Sequence, residues 1–113
     1  LYVSNSSRGA IYRIALTTDG RPASAPQLLT QPGPVDDFAI DSDGTIYAAT
    51  HGETLLKITP AGASSLVMGH GCDGCTSVAI TGTGRDRGLL VLTTGRLLEG
   101  GKEPAQILRV PLP

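Results

Sequence analysis

The most informative stretch of this chain is Asp36-Asp37-Phe38-Ala39-Ile40-Asp41-Ser42-Asp43-Gly44-Thr45-Ile46-Tyr47-Ala48-Ala49-Thr50. It contains an apolar run, a tight Asp/Gly turn and a second run rich in β-forming residues, which is the pattern of a β-hairpin. After a polar break, the run Thr54-Leu55-Leu56-Lys57-Ile58-Thr59 predicts a third antiparallel strand. The sequence on both sides of this unit shows the same pattern, so the unit predicts the architecture of the whole chain.

Composition narrows the class of protein and its partners. The chain has 113 residues with 15 Gly, 8 Pro, one Phe and no Trp, which indicates one turn-rich domain or a part of one. Its net charge of −1 leaves no basic surface stripe for nucleic acid and no polybasic patch for an anionic membrane. No apolar run approaches the roughly 20 residues of a membrane span. We therefore expect neither a nucleic-acid partner nor a membrane partner.

Equivalent residues recur at a nearly constant interval. Tyr2, Tyr47 and Val91 lie 45 and 44 residues apart, and Arg13 and Lys57 lie 44 apart. The last unit carries 4 extra residues in its first turn and 8 extra residues between its second and third strands, within residues 95–104. Units of roughly 40 to 50 residues with four short strands are typical of β-propeller blades.

The predicted fold is therefore all-β, and the chain corresponds to roughly two and a half blades of a β-propeller. If strands A to D run from the propeller axis outward, residues 1–30 form strands B to D of one blade, residues 36–68 a complete blade, and residues 75–112 strands A to C of the last blade. We expect the remainder of the propeller to lie upstream of Leu1 and to be a packing partner. The continuous apolar runs Phe38-Ala39-Ile40 and Val78-Ala79-Ile80 predict inner strands that are covered on both faces.

The central hairpin resembles a known family. Residues Val35 to Tyr47 are similar to the P-D-G-x-A-x-D-x-D-G-x-x-Y/W hairpin of the gluconolactonase, regucalcin (senescence marker protein) and strictosidine-synthase-like six-bladed propellers. Residues 1–6, 76–80 and 90–95 resemble strands of the adjoining blades, so the resemblance covers nearly the whole chain. Val35 and Asp37 replace the Pro and the Gly of the family motif. The Asp-Asp-Phe form is most similar to uncharacterised fungal members.

The resemblance implies a divalent cation, Ca²⁺ or Zn²⁺, on the propeller axis, held by Glu and Asn side chains and by the Asp of the P-D-G motif. Asp36 matches that Asp, and the changed neighbours make Asp37 a second candidate metal ligand. Carboxylate oxygens are the ligands that hard cations prefer. The other expected ligands would lie upstream of Leu1. The alternative interpretation is that Asp36 and Asp37 cap backbone amides where the strand begins.

Loops that precede A strands and loops that join B to C open at the same end of a propeller, because strand direction alternates within each blade. This end, called the mouth below, should gather Asn5, Asp36, His51, Thr76, Thr94 and Arg96. His51 is the candidate catalytic proton carrier, since histidine titrates near neutral pH; otherwise it is a solvated turn residue. Substrate contacts are expected from Asn5, Thr76, Thr94 and Arg96.

The motif Cys72-Asp73-Gly74-Cys75 has several possible meanings. Zinc binding with His70 would lack the second ligand pair of a strong site. A thioredoxin-type dithiol would need a helix that this all-β chain does not offer. A local disulfide between Cys72 and Cys75 and a pair of free thiols remain. A disulfide would indicate an oxidising compartment, which favours an extracellular over a cytoplasmic location.

Three functions are compatible with this sequence. The first is a metal-dependent hydrolase of a lactone or ester, similar to gluconolactonase, with a small-molecule substrate. The second is a non-catalytic propeller that binds a small molecule or a protein partner. The third is a biosynthetic enzyme similar to strictosidine synthase. A propeller fold supports all three, so the choice depends on the site.

Overall fold

The computed structural model describes residues 1–112, and Pro113, the last residue of the predicted domain, lies outside the described residues. These residues form ten strands and three short 3-10 turns, which confirms the all-β prediction. The strands are β1 (Tyr2–Asn5), β2 (Ala10–Arg13), β3 (Gln27–Thr30), β4 (Asp37–Ile40), β5 (Ile46–Ala49), β6 (Leu55–Ile58), β7 (Ser64–Met68), β8 (Cys75–Thr81), β9 (Gly88–Thr93) and β10 (Ile107–Pro111). Within this part of the chain, no helix is long and apolar enough to cross a bilayer.

The strands form three antiparallel sheets in which chain neighbours pair with each other. The first sheet is β1-β2-β3, the middle sheet is β4-β5-β6-β7, and the last sheet is β8-β9-β10. The β4–β5 hairpin pairs Asp37 with Ala49 and Ile40 with Ile46. Its turn is closed by Gly44, which has φ +85°, a value that glycine adopts without strain. Each sheet is thus a meander of the kind that forms a propeller blade.

Two apolar clusters hold the sheets together, and β5 contributes to both. Ile46 and Ala48 pack in the cluster between the first and middle sheets. Tyr47 and Ala49 pack in the cluster between the middle and last sheets. Because side chains alternate between the faces of a strand, a strand covered on both faces has every residue buried, as β5 does.

The expectation that the inner strands are covered on both faces is met only in part: Phe38 and Ala39 of β4 pack against different apolar clusters, whereas β8 packs against one. Phe38 is half-buried, Ile40 is 42% exposed, and Ala79 is also exposed. The physical reason is position. Both strands are open along one side, and the last sheet packs against the middle sheet through one face, so Ala79 on its other face is exposed.

The last sheet carries both inserted segments. A 3-10 turn at Gly84–Asp86 lies between β8 and β9, and a second 3-10 turn at Leu97–Glu99 lies between β9 and β10. The insertions thus extend loops and leave the strand pairing of the sheet intact.

An ion pair links the turn of the central hairpin to the first insertion. The guanidinium of Arg87 donates a hydrogen bond to Asp41 Oδ1, which also accepts one from the Ser42 amide at 2.6 Å. The Arg87 hydrogen bond, aided by the Ser42 amide, lowers the pKa of Asp41 from its usual value. Nearby, burial raises the pKa of the Tyr47 hydroxyl, and the charges of Asp41 and Asp43 add to this effect.

We expect the substitution Asp41→Asn to reduce stability in a pH-dependent manner. A carboxyl whose pKa is lowered in the folded state stabilises the fold above its unfolded pKa of about 3.9, and the contribution is lost as pH falls through the lower folded value. Urea unfolding should therefore show a less stable variant at pH 6, with the difference shrinking below pH 4. Asp19→Asn, in an exposed loop pair with Arg21, is the matched control. A wild-type-to-variant difference that is constant with pH would contradict this assignment.

Candidate functional site

The candidate site begins where β4 and β8 lie side by side. Thr76 Oγ1 donates a hydrogen bond to Asp36 Oδ2, and Ser77 Oγ donates one to Asp37 Oδ2 at 2.6 Å. In both bonds the partners are 40 residues apart, so each bond joins equivalent positions of neighbouring sheets. The two carboxylates therefore hold the middle and last sheets together at the start of their inner strands.

The two carboxylates differ in their surroundings. Asp36 Oδ1 lies 3.5 Å from His51 Nε2, with side-chain exposures of 30% for Asp36 and 40% for His51. Asp37 Oδ2 also lies 3.4 Å from the backbone nitrogen of Val78, which donates a hydrogen bond to it. Asp36 thus forms a solvent-accessible pair with His51, whereas Asp37 bonds a hydroxyl and a backbone amide of β8.

His51 lies in a loop, residues 50–54, that is closed at its base. The Thr50 amide donates to the Thr54 carbonyl at 3.2 Å, and the two threonine hydroxyls lie 2.7 Å apart. The loop is also tied to the last sheet, because the Cys75 amide donates to the Gly52 carbonyl at 3.1 Å. His51 is therefore held between the middle and last sheets.

The two cysteines form a disulfide within a tight turn. Cys72 and Cys75 are joined with a Cα–Cα distance of 5.3 Å, and the Cys75 amide donates to the Cys72 carbonyl at 3.2 Å. Both cysteines are fully buried in the cluster between the middle and last sheets. With the sulfurs bonded to each other, neither is a thiolate ligand for zinc, and the nearby His70 is exposed.

The disulfide turn also holds the loop that follows β9. The Thr94 amide donates to the Gly74 carbonyl and the Gly95 amide to the Asp73 carbonyl, both at 2.9 Å. Gly74 has φ +69°, and a Cβ there would collide with the Thr94 hydroxyl and lie 3.0 Å from the Arg96 nitrogen. Only glycine allows the two loops to approach so closely.

Arg96 bridges two carboxylates from different loops. Its guanidinium pairs with Glu53 through Nη2 and with Asp73 through Nε at 3.1 Å. Beside it is a cleft of about 200 Å³ lined by His51, Gly52, Glu53, Gly74, Arg96 and Glu99. Glu53 and Asp73 were not anticipated from the sequence, although each is a charged residue next to a loop glycine near a predicted site residue.

Asn5 is not joined to this group by any hydrogen bond or ion pair found among residues 1–112. Its Oδ1 accepts a hydrogen bond from the Arg8 amide at 3.1 Å and caps the 3-10 turn Ser6–Arg8. The adjacent Ser6 hydroxyl donates to the Val35 carbonyl at 2.6 Å, which ties the first sheet to the residue before Asp36. The structure thus brings Asp36, His51 and Thr76 together and leaves Asn5 in a separate contact.

A divalent cation would find a partial set of donors here. Asp36 offers a carboxylate oxygen and His51 an imidazole nitrogen, both of which ligate Zn²⁺, and the carboxylate also suits Ca²⁺. Across the described residues, the side chains of His, Cys, Asp and Glu form no group of three or more that is placed to hold a metal ion. These donors fit one part of a cation site, so further ligands would have to complete it.

Comparison with known proteins gives a family match over most of the chain. A family model described as the SMP-30/Gluconolactonase/LRE-like region matches residues 1–96. The match spans β1 to β9 and includes Asp36, His51, Thr76 and Arg96. No curated protein shows significant similarity to the chain. The particular resemblance to fungal members is not tested by this match and stays a prediction.

We expect Ser77→Ala to weaken the contact between the middle and last sheets. The substitution removes one of the hydrogen-bond donors to the half-buried Asp37 carboxylate, and a hydrogen bond to a charged group contributes about 1.5–3 kcal/mol. Urea denaturation should show a loss within that range. Ser65→Ala, on the exposed strand β7, should change the unfolding free energy by less than about 0.5 kcal/mol. Equal effects of the two substitutions would show that the Ser77–Asp37 bond does not join the sheets.

Proposed function

The chain belongs to the SMP-30/gluconolactonase/LRE-like family, and from this membership we propose that it acts in the metal-dependent hydrolysis of a lactone or another ester. The observation that supports this proposal is the pair formed by Asp36 and His51, 3.5 Å apart and accessible to solvent. A carboxylate beside an imidazole is a common arrangement for moving a proton during hydrolysis. The substrate is a small molecule that enters the cleft beside His51.

His51 carries the proton in this proposal. With Nε2 facing Asp36, the opposite ring nitrogen, Nδ1, takes a proton from the attacking water, and the water oxygen forms a bond to the carbonyl carbon. When the bond between this carbon and the ring oxygen breaks, the imidazolium returns the proton to the departing oxygen. A lactone thereby becomes a hydroxycarboxylic acid. The negative charge of Asp36 stabilises the imidazolium that forms.

Thr76 keeps the Asp36 carboxylate in place. Because its hydroxyl donates to Oδ2, the other oxygen, Oδ1, stays directed at His51. Asp36 is the more suitable metal ligand of the two candidates, because it matches the Asp of the family motif and its side chain is 30% exposed beside His51, whereas Asp37 bonds the Ser77 hydroxyl and the Val78 amide of β8. We therefore propose Asp36 as the residue of this pair that would hold Ca²⁺ or Zn²⁺. When bound, the cation supplies polarisation of the substrate carbonyl and a lower pKa for water.

The disulfide supports a proposal about location. Disulfides persist in oxidising compartments and are rare in the cytosol. The bond between Cys72 and Cys75 is therefore most compatible with an extracellular protein.

The test of the proposed function is hydrolysis by the full-length protein of a panel of sugar, alkyl and aryl lactones, with Ca²⁺ or Zn²⁺ added. Asp36→Asn and His51→Gln should each lower kcat/KM by about 100-fold or more, because each removes a group that acts in proton transfer. Asp19→Asn is the matched control, since it removes an exposed carboxylate in a distant loop. Thermal unfolding of each variant checks that the fold is retained.

Two results would contradict the proposal. One is a wild-type protein, replete with metal, that hydrolyses no member of the panel. In that case, binding of panel members without turnover would favour the non-catalytic propeller, and condensation of an amine substrate would favour the biosynthetic enzyme. The other is an Asp36→Asn variant as active as the wild type.

A further inference from the structure

We propose that Arg96 is a positioning residue that holds the His51 loop through Glu53. Arg96 and its two carboxylate partners, Glu53 and Asp73, are called the Arg96 clasp below. The inference rests on the proposed function only in that it gives His51 a role in the reaction. Arg96 acts on His51 from another loop and does not touch the reacting atoms.

The clasp joins three loops that are far apart in the sequence. Glu53 belongs to the loop between β5 and β6, Asp73 to the disulfide turn before β8, and Arg96 to the loop after β9. All three side chains are partly exposed, at 40% to 45%. Asp73 lies within the short covalent ring closed by the disulfide, so its position is restrained. Glu53 lies on the His51 loop, which the clasp restrains.

The His51 loop has two attachments to the last sheet. One is the hydrogen bond from the Cys75 amide to the Gly52 carbonyl, and the other is the ion pair of Glu53 with Arg96. These attachments involve the two residues that directly follow His51. Loss of the guanidinium would leave the Gly52 hydrogen bond as the attachment to the last sheet, beside the Thr50–Thr54 bonds that close the base of the loop.

The backbone conformation of Arg96 indicates that the contacts of its side chain stabilise this loop. Arg96 has φ +59° and ψ +34°, and within residues 1–112 it is the one non-glycine residue with positive φ. Gly95 and Gly100, in the same loop, adopt similar φ values without strain. An arginine in this conformation is retained only when its surroundings favour it, and here two carboxylates hold its guanidinium.

This role differs from direct substrate binding, which the position of Arg96 in a mouth loop predicts. The guanidinium is already shared between Glu53 and Asp73. Nη2 and Nε are taken up by these two pairs, so an anionic substrate group would bind through the remaining N–H groups of the guanidinium. Positioning and substrate contact therefore lead to different kinetic results when Arg96 is replaced.

The variants that separate these roles are Arg96→Gly, in which glycine accepts the backbone conformation but adds backbone freedom, and Glu53→Gln, which leaves the backbone of the Arg96 loop unchanged. The imidazole proton signals of His51 and His70 in the full-length protein are assigned by NMR from His51→Gln and His70→Gln. In Arg96→Gly and in Glu53→Gln, the His51 signals should shift and broaden, and amide hydrogen exchange of residues 50–54 should accelerate at least fivefold. The exposed His70 should keep its signals. Arg21→Gly, which breaks an exposed pair elsewhere, should change neither readout.

On a hydrolysed lactone, Arg96→Gly should lower kcat about tenfold and change KM less than twofold. A KM increase of tenfold with unchanged kcat would overturn the proposal in favour of substrate contact. Unchanged His51 signals and unchanged exchange of residues 50–54 would also overturn it. If the wild-type protein hydrolyses no lactone, the proposed function fails, whereas the NMR and exchange measurements still decide whether the clasp holds the loop. Thermal unfolding confirms that each variant is folded.

Discussion

Two hydrogen bonds from hydroxyls to carboxylates, Thr76 to Asp36 and Ser77 to Asp37, join the inner strands of adjacent sheets. The rest of the structure depends on this contact. It places β4 beside β8 at the mouth, while the apolar cluster of the middle and last sheets fills the space behind them. Because the bonded residues occupy equivalent positions of successive repeats, the same contact that assembles the sheets also directs one oxygen of Asp36 toward His51.

Local features of the chain could be predicted from the sequence. The hairpin around Gly44 follows from turn residues and from alternating side chains, which depend only on neighbours in the chain. The insertions that carry the turns Gly84–Asp86 and Leu97–Glu99 follow from irregular spacing within a regular repeat. Burial of β4 could not be predicted from its apolar composition, because burial depends on which strands lie beside it. The strands β5 and β6 contribute to both apolar clusters and are covered on both faces.

The contacts that form the site are long-range, and this explains what sequence reasoning missed. Arg96 pairs with Glu53 and Asp73 across loops, and Arg87 reaches Asp41 from another sheet. No spacing rule links such residues, since their distance depends on how whole sheets pack. For the same reason, the sequence could not show which of Asp36 and Asp37 lies beside His51. Both carboxylates bond neighbouring residues of β8, and only the position of His51 in the folded chain shows that Asp36 is the one beside the imidazole.

The proposed role of Asp36, directed by Thr76, is to hold a cation at the mouth. The most direct measurement is anomalous X-ray diffraction from crystals of the full-length protein grown with Ca²⁺ and, separately, with Zn²⁺. We expect an anomalous peak within about 2.6 Å of an Asp36 carboxylate oxygen. A cation bound to Asp37, or one bound away from both carboxylates, would contradict it.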